Sequence, residues 1–278
     1  MVFIEQAMTF RFLSHLTLWS MKMKRSAYAT RIAAAVALSA AAMGAQAATA
    51  APVKNIVLVH GYFADGSGWR AVSKILTRDG YKVSVVQEPE TSFDDDVKAT
   101  TRVIDAQDGP SILVGHSYGG AVVTEAGNHD KVAGLVYVAA FQPDTGESPL
   151  ELTKKTPPAT KAIKATTDGH LYIDPADFHA DFAADLPAAE TSFMAISQVT
   201  PAAQSFGVPI THAAWRTKPS WAVVATADRA INPNLERFMT QRAGSKTVEI
   251  NSSHVAYMSH PAEIAKQIEQ AATQSGKE

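Results

Sequence analysis

The chain predicts an α/β fold, a mainly parallel sheet flanked by helices with a helical cap inserted between its two halves. Three observations lead there. Short continuous apolar runs recur after residue 52, amphipathic stretches of helical period separate them, and from about residue 142 to 212 that rhythm breaks and then resumes. One domain over residues 51–278 accommodates the whole pattern.

The first run, NIVLVHG (55–61), is a β-rich strand ending in glycine. Residues 68–78 supply a crossover helix closed by Asp79-Gly80, and YKVSVVQEP (81–89) is the second strand. Such uninterrupted apolar strands lie inside parallel sheets, covered on both faces. Residues 93–106 have helical spacing, with Val97, Val103 and Ile104 as an apolar stripe and Asp94, Asp95 and Asp96 near the start, where the helix dipole favours negative charge. After the turn 107–110, SILVG is a strand, residues 118–127 a small-residue helix and VAGLVYVAAF another strand.

The interrupted stretch is rich in Pro, Thr, Ala and Asp, with candidate helices at 159–165, 176–186 and 188–199. A structureless loop of that length is uncommon in a compact domain, so it reads as a cap. The sheet resumes with SWAVVATADR, a helix at 234–242, the strand KTVEI and a last helix at 261–271.

Residues 1–50 form a leader. MKMKRSAYATR is basic and IAAAVALSAAAMGA is a short apolar run ending in small residues, the layout of an export signal cleaved near Ala47 or Ala50 into a periplasmic or secreted protein. The apolar run is too short for a comfortable membrane span. Residues 1–20 carry an acid, an arginine and a second apolar patch upstream of the basic region, and Met21 or Met23 makes a cleaner start for an exported precursor.

Composition narrows the chemistry. The chain has 278 residues, 46% hydrophobic and 19% charged, and a net charge of -2. The leader holds five of the 25 basic residues and one of the 27 acidic ones, so the remainder carries -6. Nothing there invites nucleic acid. With no cysteine, disulfides, thiolate nucleophiles and cysteine metal sites are excluded. The nine histidines are scattered without H-E-x-x-H or similar ligand spacing, so no metal and no organic cofactor is expected.

The segment ILVGHSYGG contains Gly115-His116-Ser117-Tyr118-Gly119, a G-x-S-x-G nucleophile elbow between a predicted strand and a predicted helix. A serine alcohol is a weak nucleophile at neutral pH, so a base and an orienting acid should follow later strands in the order Ser, Asp, His. Asp228 follows WAVVATA, and His254 follows KTVEI and a short turn. His116 reads as a packed elbow residue, and Asp174, Asp177, Asp181 and Asp185 as turns, caps or a solvated face of the cap. An oxyanion needs two converging donors: the N–H of Tyr118, and an N–H from the loop HGYFADGSGW, that of Tyr62 with Phe63 as the neighbouring alternative. Phe63, Phe141, Phe178, Phe182, Phe193, Met194 and Trp215 are candidates for an apolar substrate pocket, with packing of the cap as their other reading.

VLVHGYFADGSGW, LVGHSYGG, YVAAFQPDTGES, ATADRAINP and SSHVAYMSHP together resemble the α/β-hydrolase superfamily over residues 53–275, and within it the small serine esterases grouped with plant methylesterases and hydroxynitrile lyases. The resemblance implies the α/β-hydrolase fold, a Ser117-His254-Asp228 triad and oxyanion amides at Tyr62 and Tyr118. It implies a carboxylesterase, and the candidate apolar pocket residues favour small to medium hydrophobic esters. Family lyases carry a threonine after the first-strand histidine and a lysine after the base, where this chain has Gly61 and Val255. Thioester, lactone or amide hydrolysis and cofactor-free lyase chemistry remain open to the same pocket, as does a non-catalytic ligand-binding role.

Overall fold

The computed structural model describes residues 52–275, so the expected leader and its cleavage sites lie outside the described residues. A six-stranded sheet runs in the order β2-β1-β3-β4-β7-β8, where β1 is Asn55–Val59, β2 Lys82–Val85, β3 Ser111–Ser117, β4 Val132–Ala140, β7 Ser220–Ala225 and β8 Lys246–Ile250. Every neighbouring pair in it is parallel. The central strands β1, β3 and β7 are buried along their whole length, as their unbroken apolar runs require.

Helices α1 (Arg70–Arg78), α2 (Phe93–Asp105) and α3 (Gly119–Ala126) connect the first half. Ser92 caps α2 by accepting from the Asp95 N–H, and Asp94, Asp95 and Asp96 occupy its first turn. Because β1 leads outward to β2 on one side and β3 returns on the other, the chain reverses direction beside β1. Open α/β sheets bind ligands outside the carboxyl ends of their strands at such a point. His60, Gly61, Tyr62 and Ser117 lie there.

The cap inserted after β4 contains α4 (Pro149–Lys155), the antiparallel hairpin of β5 (Ile163–Ala165) and β6 (Leu171–Ile173), α5 (Phe178–Phe182) and α6 (Ala188–Ser197). The helix expected at 159–165 is replaced by that hairpin. Thr166-Thr167-Asp168-Gly169 forms its turn: Gly169 adopts φ 88°, and Thr166 N–H donates to His170 O at 2.7 Å. The unexpected helix α4 starts at Ser148, whose hydroxyl accepts from Glu151 N–H, with Pro149 in the first turn. The second half closes with α7 (Pro233–Arg242), α8 (Ala256–Ser259) and α9 (Pro261–Gln274). Among the described residues no helix is long and apolar enough to cross a membrane.

Candidate active site

Ser117 ends β3 with φ 55°, in the left-handed region, and α3 begins two residues later. Holding a serine there needs close backbone packing. A β-carbon at Gly119 would lie 2.2 Å from His60 O, so only glycine lets α3 start against the end of β1. Phe141 N–H donates to Ser117 O at 3.1 Å and pins the elbow to the strand beside it.

The loops after β7 and β8 are stitched together: Thr226 N–H donates to Ile250 O at 2.9 Å and Ala227 N–H to Ser252 O at 3.1 Å. That pairing brings Asp228 and His254 to Ser117. His254 Nε2 lies 2.8 Å from Ser117 Oγ, and His254 Nδ1 lies 2.5 Å from Asp228 Oδ2. Asp228 Oδ1 accepts from the N–H groups of Ala230 (2.7 Å) and Ile231 (2.9 Å), which fixes the carboxylate plane. All three side chains are buried. His116 donates from Nε2 to His254 O at 3.0 Å and packs between His254 and Tyr257, with centroids at 4.7 and 4.4 Å. Burial holds its ring well below the usual histidine range, so it remains neutral and acts on the backbone of residue 254.

On the opposite side of Ser117 lies the loop after β1. A β-carbon on Gly61 would sit 2.6 Å from Ser117 Cβ, 2.7 Å from His116 O and 3.1 Å from Tyr118 N, so residue 61 rests directly on the elbow. The next residue, Tyr62, stacks its ring on Tyr118 at 4.0 Å and 24°, and Phe63 turns the chain with φ 65°. Among the described residues neither Tyr62 N–H nor Tyr118 N–H donates to another residue.

Behind these two tyrosines is a buried acidic network that sequence spacing does not disclose. Tyr118 OH donates to Asp96 Oδ2 at 2.9 Å, and Asp96 Oδ1 accepts from Glu90 N–H at 2.8 Å. Burial pushes Asp96 up to about 6, and burial together with the Asp96 charge pushes Glu90 up to about 9. Glu88, fully enclosed, is raised well above the carboxylate range by burial first and then by Asp96 and Glu90. With His60 the two glutamates bring ligand-type atoms within 4.8 Å of one another. However, His60 Nε2 accepts from Glu88 N–H at 3.0 Å, so the neutral ring carries its proton on Nδ1, which donates to Gly61 O at 3.1 Å. Neither nitrogen then offers a metal a lone pair. The donor set fits protons better than a cation.

Glu236 of α7 is a second buried acid. Its Oε2 accepts from Ala225 N–H at 3.2 Å, at the end of the strand that leads to Asp228. Burial and, after it, the charge of Asp228 hold it well above the carboxylate range. A neutral carboxyl therefore stands beside the triad acid.

The seven candidate pocket residues part ways. Phe63, Phe193 and Met194 line a cavity of about 680 Å³ with Tyr257, Met258 and Ala64. Phe182 packs on the His254 ring at 5.0 Å and edge-on to Phe63 at 6.2 Å, with Phe178 behind it at 5.0 Å. Phe141 belongs to a separate apolar cluster with Leu152, Ile231, Leu235 and Met239. Trp215 does not line the cavity: its Nε1–H donates to Pro143 O at 2.8 Å, and Arg216 and Arg242 lie over its ring. Of the cap aspartates expected in turns, caps or a solvated face, Asp185 is exposed as expected and Asp181 is half-buried, and both also reach the loops of the triad. Asp181 binds Arg229 and Asp185 binds Ser253, each next to a triad residue, whereas Asp174 accepts from Ala176 N–H in a turn.

Residues 56–267 match the alpha/beta hydrolase family. A pyrethroid hydrolase of Sphingobium wenxiniae is 32% identical over 136 residues, 42% of this chain and 49% of that protein. A carbendazim hydrolyzing esterase of a Nocardioides species is 30% identical over 148 residues, 48% of this chain and 60% of that protein. The matches thus span about half the length of these relatives. The crystal structure of a pyrethroid hydrolase from Sphingobium faniae superposes with a TM-score of 0.70 at 25% identity, over 80% of this chain and 98% of that one.

Proposed function

Because the chain belongs to the alpha/beta hydrolase family over residues 56–267, we propose that it is a serine carboxylesterase cleaving hydrophobic esters through an acyl-enzyme. The observation that carries this reading is the continuous chain Ser117 Oγ, His254 Nε2, His254 Nδ1 and Asp228 Oδ2, with successive contacts of 2.8 and 2.5 Å. In the proposed reaction His254 Nε2 takes the Ser117 proton as Oγ attacks the ester carbonyl carbon. Asp228 holds the imidazole in the Nδ1–H tautomer and stabilises the imidazolium that forms. The N–H groups of Tyr62 and Tyr118 receive the developing oxyanion. His254 then returns the proton to the leaving alcohol, and water repeats the sequence on the acyl-enzyme.

Aromatic groups flank the centre, Phe182 on the base and Tyr62 and Phe63 on the loop after β1, and Phe63 also lines the neighbouring cavity, whose walls include Phe193 and Met194 but none of Ser117, His254 and Asp228. This supports esters with aromatic or bulky apolar groups, in keeping with relatives named for hydrolysis of pyrethroids and carbendazim. Val255, fully buried, stands where a lyase of this branch has its lysine, and supports hydrolysis over cyanide-releasing chemistry. A panel of acyl esters varied in acyl length and alcohol tests the reading. Turnover should favour aromatic or medium acyl groups and vanish in Ser117→Ala; turnover surviving that substitution contradicts it.

Export is part of the same proposal and rests on the basic and apolar stretches of the leader. Mass spectrometry of the protein from its producing cells should find an N-terminus at Ala48 or Ala51. A chain retaining its leader contradicts export by this signal.

A further inference from the structure

The cap segment 178–186 reaches both loops that carry the triad's acid and base. Asp181 Oδ1 accepts from Arg229 Nε at 2.7 Å, and its Oδ2 accepts from Thr160 Oγ1 at 2.6 Å. Arg229 O accepts in turn from Thr160 N–H at 2.9 Å, so the residue after Asp228 is held on two sides by the cap. Four residues further on, Asp185 Oδ2 accepts from Ser253 N–H at 3.0 Å, and its Oδ1 accepts from Ser253 Oγ. Ser253 immediately precedes His254. Between the two aspartates Phe182, itself buried, lies against the His254 ring.

From this juxtaposition we propose that Asp181 and Asp185 are positioning residues: they clamp the cap to the loops of Asp228 and His254, so that the triad is held in register only while the cap is docked. This rests on the reading of Ser117, His254 and Asp228 as a hydrolytic triad. The contacts are of a kind that fixes geometry. Asp185 takes two hydrogen bonds from one residue, which sets the orientation of the peptide leading into the base, and Asp181 pairs with a guanidinium while also accepting from a hydroxyl. Partial desolvation opposes charge on half-buried Asp181 and on the more exposed Asp185, yet these hydrogen bonds hold each below the usual carboxylate range, so both remain ionised acceptors at neutral pH. The triad loops already pair with each other on the sheet side, through Ala227 N–H and Ser252 O. The cap supplies the opposing side, and small losses of alignment at a nucleophile-base pair are amplified in rate.

The test compares Asp181→Ala, Asp185→Ala, Asp185→Asn and Ser253→Ala, using a short acetate ester as substrate. The wild type is first treated with a small organophosphonate; failure to label Ser117 overturns the functional reading itself. Once labelling is established, each aspartate-to-alanine variant should lose about ten- to a hundredfold in kcat. KM for the small ester should change by no more than about twofold, the mark of an interaction with the chemical step rather than with ground-state binding. The downfield proton resonance of His254 Nδ1–H should shift or broaden in both. Asp185→Asn should recover part of the rate, because its amide oxygen still accepts from Ser253 N–H. Should Asp185→Ala fail to fold, Ser253→Ala decides, since it removes the hydroxyl contact from a chain whose cap is intact and should show the same loss of kcat in milder form. Unchanged kcat and an unchanged resonance in the folded variants, whatever their melting temperatures, overturn the proposal.

Discussion

Replacing Gly61 with alanine should disable the site while leaving the fold standing. The new methyl group would lie 2.6 Å from Ser117 Cβ and 2.7 Å from His116 O. Ordinary contacts between such atoms begin near 3.5 Å, so the loop and the elbow must separate by about 0.8–0.9 Å. Neither neighbour is the free end of a flexible side chain. One is the β-carbon of the nucleophile and the other is backbone of β3, so the separation falls on Ser117, now 2.8 Å from His254 Nε2, or on the peptide of Tyr62. Loss of one oxyanion donor lowers kcat by about 10²–10³-fold, and overpacking of this kind costs about 1–3 kcal/mol of stability. For a domain of this size that stability loss corresponds to roughly 2–12 °C in melting temperature. Steady-state hydrolysis of a short chromogenic ester, paired with thermal unfolding, reads both quantities. A folded Gly61→Ala enzyme with wild-type kcat would refute the packing argument and, with it, the assignment of this loop to the oxyanion.

Other substitutions follow from the same contacts. Asp228→Asn should lower kcat by about 10⁴-fold, since an amide in place of the carboxylate favours the wrong His254 tautomer, measured with the same ester. Glu90 holds its proton up to about 9 in the folded chain against an ordinary 4.5, so between those values the folded state binds the proton that the unfolded state releases. Its contribution to stability is therefore present below pH 4.5 and falls by up to about 1.4 kcal/mol per pH unit as pH rises towards 9. Glu90→Gln should flatten that decline in melting temperature between pH 5 and 8; an unchanged slope contradicts the assignment. Glu236→Leu should lose about 1–3 kcal/mol by leaving Ala225 N–H without its acceptor, whereas Glu236→Gln, whose amide oxygen accepts in the same place, should unfold near the wild-type denaturant midpoint.

The centre of the sheet was legible because β1, β3 and β7 are buried on both faces, whereas the edge strands β2 and β8 are exposed or half-buried. NIVLV, SILVG and SWAVVA have nothing polar to alternate, and each run ends at a chemistry-bearing residue or loop. The elbow was legible because a positive-φ serine requires small neighbours on either side, which the sequence displays at Gly115 and Gly119. The cap was harder. Residues 159–165 carry alanine and lysine, good helix formers, but the Asp168-Gly169 turn and the Ile163 and Leu171-Tyr172-Ile173 stretches favour a hairpin, and turn chemistry outweighed propensity. The signal for α4, a serine followed by proline and, three residues on, glutamate, was present at Ser148 and Glu151. No local signal reveals that Asp181 and Asp185 meet Arg229 and Ser253, which are 48 and 68 residues away. The same holds for His60 and the amide of Glu88, 28 residues apart. Such contacts depend on how loops from different strands converge, information carried by the tertiary fold rather than by periodicity.

Active-site titration tests the central claim most directly. A fluorophosphonate, followed by peptide mass spectrometry, should place one equivalent of label on Ser117. Labelling should be abolished in Ser117→Ala and greatly slowed in His254→Ala, because the hydroxyl then lacks its base. A folded protein that takes up no label under conditions that modify a known serine esterase, or that is labelled on another residue, would contradict the assignment of Ser117 as nucleophile.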